Sequence, residues 1–215
     1  MRPTRRASIR LIATAALLAA APALRAGAYE DFFRAVHDND ARTVQALLAR
    51  GFDPNSPDEK GNVGLFLAMR GGAFDVAAVL LAHPELKVDA TNPAGETALM
   101  MAALRGQIVW IERLIARGAA VNREGWTPLH YAASGPEPRA IALLLDRGAA
   151  IEARSPNRTT SLMMAAGYGA IDGADLLLAR GADPRARNDG GLNAADFARR
   201  AGRATLAARL ERAAG

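Results

Sequence analysis

From residue 29 onwards, apolar residues recur at helical spacing in short paired blocks, with polar, glycine-bearing turns between the pairs. The second block of each pair is the clearer one: Val44/Leu47/Leu48, Val76/Val79/Leu80/Leu81, Ile111/Leu114/Ile115, Ile141/Leu144/Leu145 and Leu176/Leu177/Leu178. Four of these blocks close on Arg-Gly, at Arg50-Gly51, Arg117-Gly118, Arg147-Gly148 and Arg180-Gly181. Glycine tolerates the left-handed conformation that ends a helix, and arginine in the last turn suits the helix dipole. In the second pair His83-Pro84-Glu85-Leu86-Lys87 replaces Arg-Gly, which predicts a longer, irregular loop with His83 on its surface. The pattern predicts helix–turn–helix pairs and no strands.

A second regularity precedes the first helix of each pair. The strips read G-N-V-G-L-F-L-A, G-E-T-A-L-M-M-A, G-W-T-P-L-H-Y-A, R-T-T-S-L-M-M-A and G-L-N-A-A-D-F-A. They start at Gly61, Gly95, Gly125, Arg158 and Gly191, spaced 34, 30, 33 and 33 residues apart. A period near 33 with a T-P-L-H-x-A core resembles the ankyrin-repeat family over nearly all of residues 29–215. The expected fold is an all-α ankyrin-repeat solenoid of about six helix-turn-helix repeats with short loop fingers. The repeats would lie near 29–57, 58–91, 92–121, 122–154, 155–187 and 188–215. Tyr29 to Val36 would form the first helix of an N-terminal cap, and the charged stretch Arg199 to Arg212 would finish the stack.

Thr127-Pro128-Leu129-His130 is the fullest copy of the motif. Thr127 is placed to cap its helix, and Pro128 suits a first turn whose N–H has no intrahelical partner. The resemblance implies that His130 hydrogen-bonds between neighbouring repeats. Phe66, Met100 and Met163 hold the matching position elsewhere, where packing is expected to replace that bond, and Asp196 holds it in the last copy, where a cap turns a polar face to water. The alanines that follow, such as Ala102-Ala103, let adjacent first helices approach closely. Trp110 falls where the family carries an aliphatic core residue.

Charge changes the picture only at the N-terminus. The chain has 27 Lys and Arg against 22 Asp and Glu, but five of the arginines (Arg2, Arg5, Arg6, Arg10 and Arg25) lie in residues 1–28, which hold no acid. The remainder is balanced, 22 against 22, and lacks the cationic footprint of nucleic-acid binding. A basic start, an apolar run from Leu11 to Leu24 broken by Pro22, and Ala26-Gly27-Ala28 have the form of a signal peptide cleaved near Ala28. Thr4-Arg5-Arg6 with Ile9-Arg10 looks like a twin-arginine export motif, an alternative to the general secretory route. Either route predicts a periplasmic or secreted bacterial protein without stable membrane insertion after cleavage. There is no cysteine, hence no disulfide, thiolate ligand or lipidated cysteine.

Catalytic patterns are missing: no phosphate-cradling G-x-x-x-x-G-K-[ST], no H-E-x-x-H and no G-x-S-x-G. His37, His83 and His130 fall in different repeats, at no ligand spacing. We therefore expect no catalytic, cofactor or metal site, and function through a protein partner. Ankyrin stacks bind partners on a concave face of loop tips and first helices. By alignment that face takes Lys60, Asn62, Glu96, Arg123, Glu124, Trp126, Asn157 and Thr159, with Arg70, Leu104, Arg105, Ser134 and Tyr168 from the helices. Glu96, Arg105, Arg123, Trp126 and Tyr168 are the contacts expected to matter, Trp126 above all, since Trp is enriched at interface hot spots. The competing reading of Trp126 is a ring folded down onto its own stack. An accessory or chaperone role for an exported enzyme is the alternative function; a small-molecule binder or hydrolase fits less well. Capped ends favour a monomer.

Overall fold

The computed structural model describes residues 27–215; the expected leader, apart from Gly27 and Ala28, lies outside them. The described chain folds into twelve helices joined in pairs, with the single antiparallel bridge Pro57–Val63 as its β feature. The first pair is α1 (27–37) and α2 (Ala41–Ala49). It is followed by α3 (Gly64–Gly71) with α4 (Phe74–Ala82), and α5 (Ala98–Leu104) with α6 (Ile108–Ala116). Then come α7 (Pro128–Ser134) with α8 (Pro138–Asp146), α9 (Ser161–Gly167) with α10 (Ile171–Ala179), and α11 (Ala194–Arg200) with α12 (Ala204–Ala214).

First helices pack on first helices along one layer, α3 on α5, α5 on α7, α7 on α9 and α9 on α11. Second helices form the other layer, α2 against α4, α6 against α8 and α8 against α10. The alanine pairs make the close spacing possible: Ala102, Ala103, Ala132, Ala133, Ala165 and Ala166 are all buried. Larger apolar side chains fill the space between layers, among them Leu99, Ile111, Leu129, Ile141, Leu162 and Leu177. Trp110 is buried as expected, stacked on Phe74 at 5.5 Å with the Arg113 guanidinium 4.6 Å over its ring. Among the described residues no helix is long and apolar enough to cross a membrane.

The fingers between pairs are tight loops. Those before α3, α5, α9 and α11 close on backbone bonds, such as Asn92 N–H to the Glu96 carbonyl and Gly95 N–H to the Asn92 carbonyl. The turn needs a positive φ, supplied by Gly61, Gly95, Gly125 and Gly191 at 71° to 79°. In the fifth repeat Arg158 does this at φ 61°, which is strained for a residue with a Cβ.

The irregular end of α4 has a partner the sequence did not announce. His83 caps α4 in an extended conformation, half-buried, and its Nδ1 accepts the Glu85 N–H. Arg117, from the next repeat, donates from Nε to the Leu81 carbonyl and from Nη2 to those of His83 and Pro84. A guanidinium thus satisfies the carbonyls that a left-handed glycine would otherwise have turned aside. The other helix-end arginines reach the preceding repeat through carboxylates instead: Arg147 to Glu112 and Arg180 to Asp146.

Candidate functional site

The face made by the first helices and the fingers carries one apolar groove, at the junction of the third, fourth and fifth repeats. Its volume is about 250 Å³ and its walls are Leu104, Trp126, His130, Tyr131, Ser134 and Met164. Each wall has a backbone reason. Thr127 in extended conformation is the N-cap of α7, with Pro128 in the first turn, so Trp126 leaves the finger directly above the helix. Leu129 turns fully inward, while Tyr131 and Ser134, two and five residues on, stay half-buried at the groove.

His130 forms the floor and is fully buried. The Thr127 N–H donates to its Nδ1 at 3.2 Å, and the Thr127 hydroxyl lies 2.8 Å from the same nitrogen. With Nδ1 accepting, Nε2 carries the proton and donates to the Thr159 carbonyl of the next repeat at 3.0 Å. Burial holds the imidazole below its usual pKa, so it is a neutral tie between repeats. In the third repeat Met100 does more than pack: its sulfur accepts the Thr97 N–H at 3.4 Å, where His130 uses Nδ1. Asp196 makes the same reciprocal cap with Asn193 in the last repeat.

Trp126 is folded down onto its own stack and only partly exposed. Its ring stands edge-on to His130, with centroids 5.3 Å apart and planes at 80°, and its remaining surface lines the groove. Glu96 is engaged rather than free. The Tyr131 hydroxyl donates to Glu96 Oε1 at 2.8 Å, and Asn92 Nδ2 donates to Oε2 at 2.8 Å. Burial and the Glu96 carboxylate push the Tyr131 phenol above its ordinary range, while the nearby Arg123 charge acts the other way. Glu96 is thereby tied to Tyr131 in the wall of the groove that Trp126 shares.

Other expected contacts lie elsewhere. Arg105 and Tyr168 are the exposed C-caps of α5 and α9, at the turns into the second helices, not on the groove. Tyr168 leans edge-on towards Phe197 with centroids 6.5 Å apart. Asn62 is buried and hydrogen-bonded to Asp58, and Thr159 is buried with its carbonyl taken by His130, so neither offers a contact. Tyr131 and Met164 were not singled out from the sequence, although both hold the variable position directly after the motif histidine or its substitute, and that register could have found them. A larger cavity of about 560 Å³ lies between Tyr29, Arg50, Phe52 and Asp53 at the amino-terminal end, next to Ala28. Among the described residues no three His, Cys, Asp or Glu side chains converge as a metal site would need.

The comparisons with known proteins agree with this geometry. The family model for ankyrin repeats matches in three overlapping copies, over residues 32–124, 84–155 and 110–188. The chain belongs to the ankyrin-repeat family. Among curated ankyrin proteins it is 34% identical to the nuclear factor NF-kappa-B p105 subunit of Gallus gallus over 161 residues. That alignment takes in 72% of this chain and 16% of the p105 subunit. It is 36% identical over 95 residues to the NF-kappa-B inhibitor alpha of Mus musculus, 42% of this chain and 30% of that one. The chain thus spans well under half of these relatives. A solved ankyrin structure is covered almost whole: the immunity protein held in complex with a predatory endopeptidase of Bdellovibrio bacteriovorus. The likeness has a TM-score of 0.69 at 28% identity, over 83% of this chain and 97% of that one.

Proposed function

We propose that this is an exported, non-catalytic ankyrin protein that holds an exported hydrolase through the Trp126 groove and protects its host from that enzyme. The observation that carries the reading is the fit to an immunity protein along 97% of that protein's length, in a complex with an endopeptidase. The leader-like form of residues 1–28 supports export to a bacterial periplasm or the outside of the cell, where a partner of the exported chain would have to be met. The groove supplies the means. It offers a mainly apolar cleft over the neutral His130 for one anchor side chain, a Trp wall, and the Glu96 carboxylate held beside it by the Tyr131 hydroxyl. A rigid stack orders little on binding, so most of the contact energy is retained as affinity.

The test immobilises the protein and passes over it an extract of the compartment to which its host exports it. One dominant hydrolase should be retained, and its activity should fall as the ankyrin protein is added. Trp126→Ala should weaken capture about tenfold, on the order of 1.4 kcal/mol, in a protein that thermal unfolding shows to be still folded at the temperature of the assay. Retention of nothing, or equal retention on the Trp126→Ala protein, would overturn the groove. A retained protein whose activity is raised would replace protection with a chaperone role.

A further inference from the structure

The expected cleavage strip Ala26-Gly27-Ala28 runs straight into the first helix. Gly27 and Ala28 are already helical, so the bond between Ala28 and Tyr29 lies inside the first turn of α1. Ala28 is half-buried against the core and shares the wall of the amino-terminal cavity with Tyr29, Arg50, Phe52 and Asp53. A protease takes its substrate as an extended strand, because the peptide backbone must pair with the enzyme. In a helix the carbonyls run along the axis into the next turn and are not free for that pairing.

The start of a helix ordinarily frays at little cost, which would free such a bond. In α1 the first turn is tied down. The Tyr29 hydroxyl donates to the Pro57 carbonyl at 3.0 Å, 28 residues on in the finger before α3. Pro57 is itself bridged to Val63, so the tie reaches the entry to the second repeat. The Tyr29 ring stands edge-on to Phe33, with centroids 4.9 Å apart, and Phe33 stands edge-on to Phe32 at 5.1 Å. Phe32 is fully buried and stacks on Phe52 at 4.4 Å. On its far side α3 is pressed close: a Cβ on Gly64 would come within 2.9 Å of the Phe32 ring. Drawing Tyr29 out into a protease therefore disturbs the seat of the first repeat, not a loose end.

We propose that the folded first repeat, latched by Tyr29, hides the leader cleavage bond, so that removal of the leader precedes the docking of α1. This rests on the leader reading of residues 1–28, and it selects between the two export routes. The general secretory route threads an unfolded chain and presents the strip extended. The twin-arginine route carries folded proteins and would deliver the strip with α1 already closed, leaving the stack tethered by an uncleaved leader. The chain therefore leaves by the secretory route, loses its leader there, and folds afterwards with Tyr29 as its first residue. The Trp126 groove plays no part in this, so the hydrolase-binding reading stands or falls separately.

The test takes the full chain, purified and folded with its leader in place, and a bacterial signal peptidase in detergent micelles, with cleavage followed by intact mass. A companion variant carries Tyr-Glu-Ser-Gly inserted between Ala28 and Tyr29. The bond after Ala28 then keeps its own flanking residues, the folded stack keeps all of its own, and the strip stands clear of the helix. The insertion variant should be cut on the order of tenfold faster than the parent, and Tyr29→Phe, which lacks only the bond to Pro57, at a rate between the two. Thermal unfolding confirms that each protein is folded at the assay temperature. In the host, replacing Arg5 and Arg6 together with lysine should leave the yield of mature protein unchanged, since the secretory route needs the charge and not the arginine pair. A folded parent cut as fast as the insertion variant would overturn the masking and leave the leader reading intact. Tyr29→Phe cut no faster than the parent would overturn the latch. An insertion variant that also resists cleavage would overturn the leader reading, and the masking with it. Loss of mature protein from the paired lysine variant would give the chain to the twin-arginine route and overturn cleavage before folding.

Discussion

His130 shows how much one side chain can carry in a stack of this kind. It joins Thr127 at the start of α7 to Thr159 in the next finger, and it does so neutral. Its folded pKa is depressed, so on acidification the unfolded chain takes up a proton that the folded chain refuses. Stability should therefore fall as pH drops through about 6.5, the ordinary histidine value, and should be steady above it. His130→Met installs the residue found at Met100 and Met163. It should cost about 1 to 2 kcal/mol by leaving the Thr159 carbonyl unpaired, and flatten the pH dependence. Urea unfolding at several pH values measures both, and an unchanged slope would assign the pH dependence to other groups. Arg158 offers the opposite case, a residue that costs stability. Its φ of 61° belongs to glycine, and its ion pair with Asp189 is exposed and long at 3.9 Å. Arg158→Gly should raise stability by about 0.5 to 1 kcal/mol in chemical denaturation, the left-handed strain outweighing the greater freedom of the unfolded glycine.

At the scale of elements, the arginines that end the second helices are not equivalent. Arg117 donates three bonds to carbonyls at the broken end of α4, whereas Arg147 makes one exposed pair of 3.8 Å with Glu112. Arg117→Ala should cost about 2 kcal/mol through the unpaired carbonyls, and Arg147→Ala under about 0.5 kcal/mol. Equal losses in thermal or urea unfolding would mean that both arginines act only through the helix dipole. The comparison also marks where the sequence was legible. Helix pairs, finger turns and the inward Leu129 and His130 follow from local periodicity and a repeated motif, because each repeat solves the same packing problem. Arg117 did not follow, since it compensates for His83-Pro84 some 34 residues away, and period-matching treats such pairs as unrelated. Glu96 was expected as a partner contact, with no internal bond foreseen. Its engagement by Tyr131 crosses 35 residues and needs the stacking of one repeat on the next. Arg105 and Tyr168 were displaced because alignment places a residue on a helix, whereas the cap conformation decides which edge it faces.

For the whole molecule, the decisive fact is that packing between repeats joins nearest neighbours, α5 with α7, α7 with α9, α9 with α11. Stability in such a stack is a sum of repeat and interface terms, so where a cavity is made matters as much as its size. Leu114 on α6 and Leu210 on α12 are both buried, at 0% and 1% exposure. Replacing either with alanine removes the same atoms, at about 3 kcal/mol locally. Leu114 has folded repeats on both sides, so its loss must be shared by the joints either way, and the whole stack should melt earlier in one transition. Leu210 holds only the terminal pair, tied inward by Arg203 to the Ala165, Ala166 and Gly169 carbonyls. Leu210→Ala should release α11 and α12 while the middle of the molecule, including the Trp126 groove, stays closed. Amide hydrogen exchange distinguishes the two: protection lost throughout α3 to α10 for Leu114→Ala, and lost only in α11 and α12 for Leu210→Ala. Capture of a partner by the Leu210→Ala protein should then survive, because no groove residue lies beyond Met164. Global loss of protection from the terminal variant would show that the six repeats fold as one indivisible unit, and that the groove depends on every one of them.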